Sequence, residues 1–249
     1  MEWVAPFYAR QHEWLPEYAE SAVSERHRAI AARIGRLTSG PPGRVLELGA
    51  GGGHAAAATA DLGYDVVAVE LVERAAARAR SLATEPRPGS MTVHRGDFYD
   101  IEVNGPFDVV CYWDGFGIGS DDDQRRLLRR IAGWLHPAGR ALIDIFTPWY
   151  WANVAGKEQR LGDVARRYGF DADECRMVDE WWPLADQTAL VGQSLRCYSP
   201  ADLRLLLAGT GLGLVGIEPG GTIDETTGAW VERAPLARAM SYLAVLTRA

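Results

Sequence analysis

The stretch Glu47-Leu48-Gly49-Ala50-Gly51-Gly52-Gly53-His54 carries the densest chemical signal in the chain. Alternate glycines let a backbone turn sharply and let a ligand approach it closely. A helix starting just beyond would offer free amide donors at its first turn. Glu70 follows Gly49 by about 20 residues, the spacing at which an acid accepts both ribose hydroxyls of a bound nucleoside. A purely structural turn is the plainer reading of such a loop taken alone. Strand, loop, helix, second strand and terminal acid in that order favour a ligand.

Two kinds of nucleoside fit the spacing. A dinucleotide loop reads G-x-G-x-x-G/A, and counted from Gly49 its last position falls on His54, which fails. Counted from Gly51 it becomes Gly51, Gly53 and Ala56, which fits but moves the first glycine two residues off the strand end. Glu47 separates the two. Its carboxylate would repel a pyrophosphate and would attract a ligand carrying an ammonium and a sulfonium.

Other residues could act on an acceptor. Tyr112-Trp113-Asp114-Gly115-Phe116-Gly117 follows a strand, so Trp113, Asp114 and Phe116 are candidates for contact with ligands there; a packed aromatic with a turn-forming Asp-Gly is the alternative. His12 lies near Tyr8 and Trp14 in an N-terminal helical segment, as a base or as a solvated helix histidine. Trp149, Trp151 and Trp182 belong to two aromatic clusters that would line a lid and hold an aromatic or cationic acceptor. The same clusters could instead form a cap core or a homodimer surface. Asp144 and Arg196 are candidates for polar contacts with that acceptor. A strand over 176–183 would put Trp181 and Trp182 on opposite faces, so one of them alone can face the pocket.

These residues need elements to place them. Residues 5–38 read as helical, stopped by Ser39-Gly40-Pro41-Pro42-Gly43. Strands are expected at 44–48, 64–70, 91–95, 107–112 and 140–146, with helices over 54–62, 72–83 and 121–135 between them. That alternation implies a mostly parallel sheet with helices on both faces. After 146 the rhythm breaks into helix and loop to 170, then a hairpin of 176–183 and 188–198. A helix from Pro200 and strands at 212–218 and 240–247 end the chain.

The residues around the loop resemble class I S-adenosylmethionine-dependent methyltransferases. Glu47 to Gly53 is similar to the family's E/D-x-G-x-G-x-G motif, Gly96-Asp97-Phe98 to its adenine-binding segment, and Leu135-His136-Pro137-Ala138-Gly139-Arg140 to its turn before the fifth strand, with Ala138 where glycine is usual. The resemblance implies a single α/β domain: a Rossmann-like, doubly wound, seven-stranded sheet in order 3-2-1-4-5-7-6 with the last strand antiparallel. It implies an N-terminal helical lid at 1–40, a cofactor-binding core at 44–146, a capping insertion at 147–198, and a last helix and strands at 199–249. S-adenosyl-L-methionine would then be held by Glu47, Gly49, Ala50, Gly51 and Gly53, by Glu70 and Leu71 at the ribose, by Asp97 and Phe98 at the adenine, by Trp113, and by Tyr8 and Trp14 of the lid. His12 and Asp114 would be the candidates for catalysis. Phe116, Asp144, Trp149, Trp151, Trp182 and Arg196 would meet a small-molecule acceptor. A nicotinamide-dependent oxidoreductase and a cofactor-binding protein without methyl transfer are the competing classes.

Composition narrows the partners. The 249 residues carry a net charge of −7, and 47% are hydrophobic, an ordinary balance for a globular protein. An acidic chain lacks the concentrated basic surface that phosphate contacts need, so nucleic acid is not an expected partner. The three cysteines are widely spaced and argue against a Cys-based metal site. The absence of a long apolar run argues against a membrane span and for the cytoplasm. Lys157 is the single lysine, which leaves little room for Schiff-base chemistry.

Overall fold

The computed structural model describes residues 1–224 and 226–249. Three short helices, α1 (Val4–Trp14), α2 (Glu17–Glu20) and α3 (Glu25–Leu37), lead into β1 (Arg44–Leu48), α4 (His54–Asp61), β2 (Asp65–Glu70), α5 (Glu73–Ala83) and β3 (Ser90–Arg95). Then come β4 (Phe107–Tyr112), α6 (Asp121–Trp134), β5 (Leu135–Phe146) and α7 (Pro148–Val154). An antiparallel sheet follows: β6 (Glu158–Leu161), β7 (Val164–Asp171), β8 (Arg176–Pro183) and β9 (Val191–Arg196). The chain ends with α8 (Pro200–Leu207), β10 (Leu212–Pro219), the small hairpin β11 (Thr222–Ile223) and β12 (Trp230–Val231), and β13 (Ser241–Arg248).

The main sheet has the order β10-β13-β5-β4-β1-β2-β3. Counted along this sheet alone it is 3-2-1-4-5-7-6, with β13 antiparallel to both neighbours. Alternation sorts its two faces. Leu46, Leu48, Val110, Tyr112 and Ile143 pack towards α6 and α8, while Val45, Ala68, Val109, Cys111 and Leu142 pack towards α3, α4 and α5. Burial on both faces is what a parallel sheet requires. At β2–β1–β4 the strands run side by side in register, Glu47 opposite Ala68 and Cys111. Glu47 therefore points to the α4 side near the strands' carboxyl ends.

Three expectations change. The helix expected over 5–38 is three helices, broken at Leu15-Pro16 and at Ser21–Ser24, because proline and an extended N-cap serine interrupt the ladder. The expected turn at 136–139 is absorbed into β5, which starts at Leu135 with a register shift against β4 between Phe107 and Val109. The segment expected as helix and loop to 170 contains two strands, β6 and β7. Their arginines obscured the apolar alternation, yet Arg166 and Arg167 bind Asp179 and Glu180 of β8 across the ladder. Opposite charges on facing strands stabilise the pairing.

The cap sheet shows which face it turns inward. Met177, Asp179 and Trp181 share a face with Arg166, Tyr168, Gln193 and Leu195. Trp181 is fully buried against Phe7 and Leu15 of the N-terminal segment. Asp179 is fully buried, gripped at 2.7 and 2.8 Å by Arg166 and at 2.9 Å by Gln193. Removing one member of such a pair strands the other charge. We expect Asp179→Ala to lower unfolding stability by about 3–5 kcal/mol in urea titrations, whereas the exposed Arg167–Glu180 pair should change it by less than about 1 kcal/mol when Glu180 is replaced by alanine.

Candidate functional site

The glycine loop is built from its own backbone outward. Gly49 and Gly51 adopt left-handed φ values of 63° and 55°. A Cβ on Gly51 would meet nothing within 4 Å, so that face of the loop opens onto free space. Gly53 is different: a Cβ there would lie 2.7 Å from both Ala79 and Met91, and its absence lets α4 approach α5 and β3. Ala50 N–H closes the loop onto Val69 C=O at 3.0 Å.

Glu70 clamps this loop to the end of β2. Its Oε2 accepts from Gly51 N–H at 2.7 Å and its Oε1 from Val72 N–H at 2.7 Å. Burial raises its pKa, and the amides oppose that. Leu71 follows directly and is half-buried. Glu47 lies deeper, 2% exposed, with Oε2 partnerless and its pKa pushed up to about 8 by burial. Across from Glu70, Asp97 Oδ1 accepts from Tyr99 N–H at 2.8 Å, and Phe98 leans on Tyr112 with ring centres 5.1 Å apart. The glycine loop, Glu70, Asp97 and Phe98 thus gather at the carboxyl ends of β1, β2 and β3.

The next strand ends supply acids. Asp114, just past β4, has a φ of 54°, a left-handed conformation that Asp tolerates better than most residues. It reaches solvent, yet the surrounding protein raises its pKa. Asp144 in β5 is pushed up to about 6, by burial first and by Asp114 second. Trp113 packs half-buried beside the α4-side core.

Helix α1 lies over these strand ends. Tyr8 donates to Gln193 Oε1 of the cap at 3.2 Å, and its hydroxyl is pushed up by burial and by Asp114, Glu70 and Asp179. A group that feels all three acids stands between the strand ends and the cap. Trp14 packs with the Phe7–Trp181 cluster. His12 is buried with Nδ1 unbonded; burial and Arg74 of α5 lower its pKa to about 4. It faces α5.

The remaining expected acceptor residues do not converge. Phe116 is core, between Tyr112 and Tyr198. Trp151 is buried among Phe146, Tyr150 and Tyr168. Trp149 donates to Leu236 C=O at 2.8 Å and lines a cavity of about 430 Å³ with Lys157, Tyr168, Asp224 and Arg238. That cavity touches none of Glu47, Glu70 or Asp114, and its size alone gives it no chemistry. Trp182 and Arg196 project from the cap's other face. There Arg167 covers Trp182 at 5.7 Å, and Arg196 pairs with Asp121 at 3.4 Å and covers Tyr198 at 4.7 Å.

Sequence reasoning missed the contacts of Tyr18, Arg166, Asp179 and Gln193 that join the lid to the cap around Trp181 and Tyr8. The available signal was the matched order of Arg166-Arg167 and Asp179-Glu180, opposite charges spaced for a hairpin. It also missed a pair of imidazoles. His54, the first residue of α4, stacks on His27 of α3 at 4.9 Å and bonds Ser21 C=O through Nε2 at 2.8 Å.

Comparison with known proteins bears on the fold that carries these residues. Residues 45–139 match the family described as a methyltransferase domain. The chain carries a class I methyltransferase fold. An uncharacterized methyltransferase of Staphylococcus carnosus is 27% identical over 137 residues, 53% of this chain and 63% of that relative, so the chain spans under two thirds of its length. Among solved structures, the CcbJ methyltransferase of Streptomyces caelestis superposes with a TM-score of 0.76 at 22% identity, over 97% of this chain and 98% of that one. CalS10 of Micromonospora echinaspora, an amino pentose methyltransferase solved with S-adenosylmethionine bound, gives 0.60 at 19% identity over 96% and 97%.

The stacked imidazoles set a pH dependence for the stability of this fold. Burial lowers both pKa values, His27 to about 4, with Arg26, Arg28 and Arg78 nearby adding to the effect. A depressed histidine favours the fold while neutral, so its contribution is complete above about 6.5 and is lost as pH falls towards 4. The Tm should therefore drop between pH 7 and 5, and a His27→Gln/His54→Gln double variant should show a flatter profile in the same buffers.

Proposed function

We propose that the chain is an S-adenosylmethionine-dependent methyltransferase acting on a small-molecule acceptor. The observation that carries this reading is the pairing of Glu70, fixed by the Gly51 amide, with the partnerless buried oxygen of Glu47. Each Glu70 oxygen accepts one amide and keeps a lone pair free, enough for two ribose hydroxyls. Glu47 is a buried acid without a counter-charge, and the cofactor's ammonium would supply one. The open face at Gly51 admits such a ligand close to the chain. Asp97 and Phe98 offer an acceptor for an adenine amino group and a ring face beside it.

When bound, the cofactor supplies a methyl group on a cationic sulfur. The protein's own contribution is alignment and exclusion of water, worth on the order of 7–11 kcal/mol in favourable cases. Tyr8, Trp14 and Trp181 close the cleft from above, and Asp114 and Asp144 stand at its acceptor end. Closure by helix α1 and the cap sheet leaves a site suited to a small molecule. The resemblance of the fold to an amino pentose methyltransferase supports that choice of acceptor size.

Calorimetry tests the reading. S-adenosylmethionine and its homocysteine product should bind with a 1:1 stoichiometry, and NAD should not. Loss of the ribose contacts in Glu70→Ala should weaken binding by roughly 10–100-fold, the worth of charge-assisted hydrogen bonds. No binding of either ligand by the full chain would overturn the assignment. A second measurement concerns Glu47. With its pKa near 8 in the free protein, it is mostly protonated at pH 7, and a cation placed beside it must lower that pKa. Binding at pH 7 should release up to about one proton, read as a dependence of the binding enthalpy on buffer ionisation enthalpy. Glu47→Gln should abolish the release.

A further inference from the structure

The three cysteines stand far apart in the sequence, and the fold brings two of them together. Cys175 precedes β8 and Cys197 follows β9, each one residue beyond the paired Arg176 and Arg196. Cys197 N–H donates to Cys175 C=O at 2.9 Å, so the two continue the ladder as its next rung. The Cys175 thiol donates to Cys197 C=O at 3.6 Å. Side chains alternate along a strand, and both cysteines pack with Met177 and Leu195 in one cluster. Residues opposed in this way lie about 5.5 Å apart at Cα, inside the roughly 4.4–6.8 Å that a disulfide spans. Both thiols are free. Cys175 also holds a φ of 50°, a conformation uncommon outside glycine and of the kind that gathers at switch regions. Cys111 stands apart: fully buried in β4, it packs towards α4 and donates to Leu46 C=O at 3.5 Å.

We propose that Cys175 and Cys197 form a reversible redox site, closing to a disulfide under hydrogen peroxide and reopening under a small thiol. The site stands apart from the methyltransferase reading. Cys175 is half-buried and Cys197 buried, so the oxidant meets Cys175 first. Its thiolate attacks one peroxide oxygen: an S–O bond forms, the O–O bond breaks, and the other oxygen leaves as water with the thiol proton. Cys197 then attacks that sulfur, an S–S bond replaces the S–O bond, and a second water leaves. Two thiols and one peroxide become one disulfide and two waters. Burial pushes both thiols up, Cys197 to about 12, and the Arg196 guanidinium, which donates to both cysteine carbonyls, opposes this. The reaction is therefore slow at neutral pH and quickens as pH rises. The bond would lie where the cap meets the core. There Arg196 N–H donates to Gly117 C=O at 2.9 Å and Tyr198 N–H to Phe146 C=O at 3.1 Å. It would fasten the strand pair that carries Asp179, Trp181 and Gln193, making the cap harder to unfold.

The test treats the full chain with hydrogen peroxide, alkylates the remaining thiols in denaturant, and reads proteolytic peptides by mass spectrometry. A peptide linking Cys175 to Cys197 should appear, lighter by two hydrogens than its reduced halves, with Cys111 alkylated. Dithiothreitol should remove the link and leave all three cysteines alkylated. The link should form faster at about pH 9 than at about pH 7. The linked chain should melt roughly 5 °C above the reduced one. In Cys175→Ser, a change at the half-buried position, both the link and the rise in Tm should be absent after the same treatment. Sulfinic acid at Cys175 without a link, bonds to Cys111 or between chains, or two unmodified thiols after treatment at the higher pH would each overturn the redox site. A link that leaves the Tm unchanged overturns the fastening of the cap.

Discussion

One carboxylate holding two backbone amides sets the frame for the cleft. The glycines at 49, 51, 52 and 53 give the loop after β1 more conformational freedom than any other four-residue type would. Glu70 removes much of that freedom by accepting from Gly51 and Val72 together. Charge-assisted bonds of this kind contribute roughly 1.5–3 kcal/mol each, against the opposing effect of burial on the charged form. The clamp couples the turn after β1 to the turn after β2. Because β4 and β5 are hydrogen-bonded outward from β1, Asp114 and Asp144 inherit their positions from the same frame.

The covering parts are held by different physics. The cap rests on a buried charge network around Asp179, whose value depends on every partner being present. Helix α1 is held to the cap by aromatic edges, Phe7 on Trp181 at 6.3 Å, and by the single bond from Tyr8 to Gln193. Non-directional ring contacts and one exchangeable hydrogen bond suit an element that has to part for ligands. A cap with a buried ion pair suits one that stays in place.

The order of the seven-stranded sheet and the loop-to-acid spacing were legible because they follow local rules. Glycines mark turns, β-branched runs mark buried strands, and the strand–helix rhythm fixes parallel pairing. The cap was less legible. In β7 the residues Arg166 and Arg167 hide strand character, since a sheet that buries an arginine against an aspartate does not read as apolar alternation. The two faces of β8 were recognised, but the choice between Trp181 and Trp182 depends on where α1 lands, which is a tertiary fact. Trp181 takes the inner face because Phe7 and Leu15 reach it. Arg196 was misleading for a related reason: it looks available in the sequence, whereas Asp121, Tyr198 and the carbonyls of Cys175 and Cys197 occupy it.

The acids of the cleft show how environment divides one functional group into several roles. Glu70 is held by two amides that oppose the effect of burial, and Asp179 binds an arginine. Glu47 has no partner, and burial alone pushes it up to about 8. Asp114 is exposed and Asp144 half-buried; burial first, and then Asp114, pushes Asp144 up to about 6 against the pull of Arg33 and Arg26. A fold selected only for stability would pair or replace the buried Glu47, since partnerless buried polar atoms are rare and costly. Its place near the carboxyl end of β1, where open α/β sheets bind ligands, makes function the better account. A cation placed beside Glu47 would draw its carboxyl back to the anion, so a partnerless buried acid and a cationic cofactor would each answer the other.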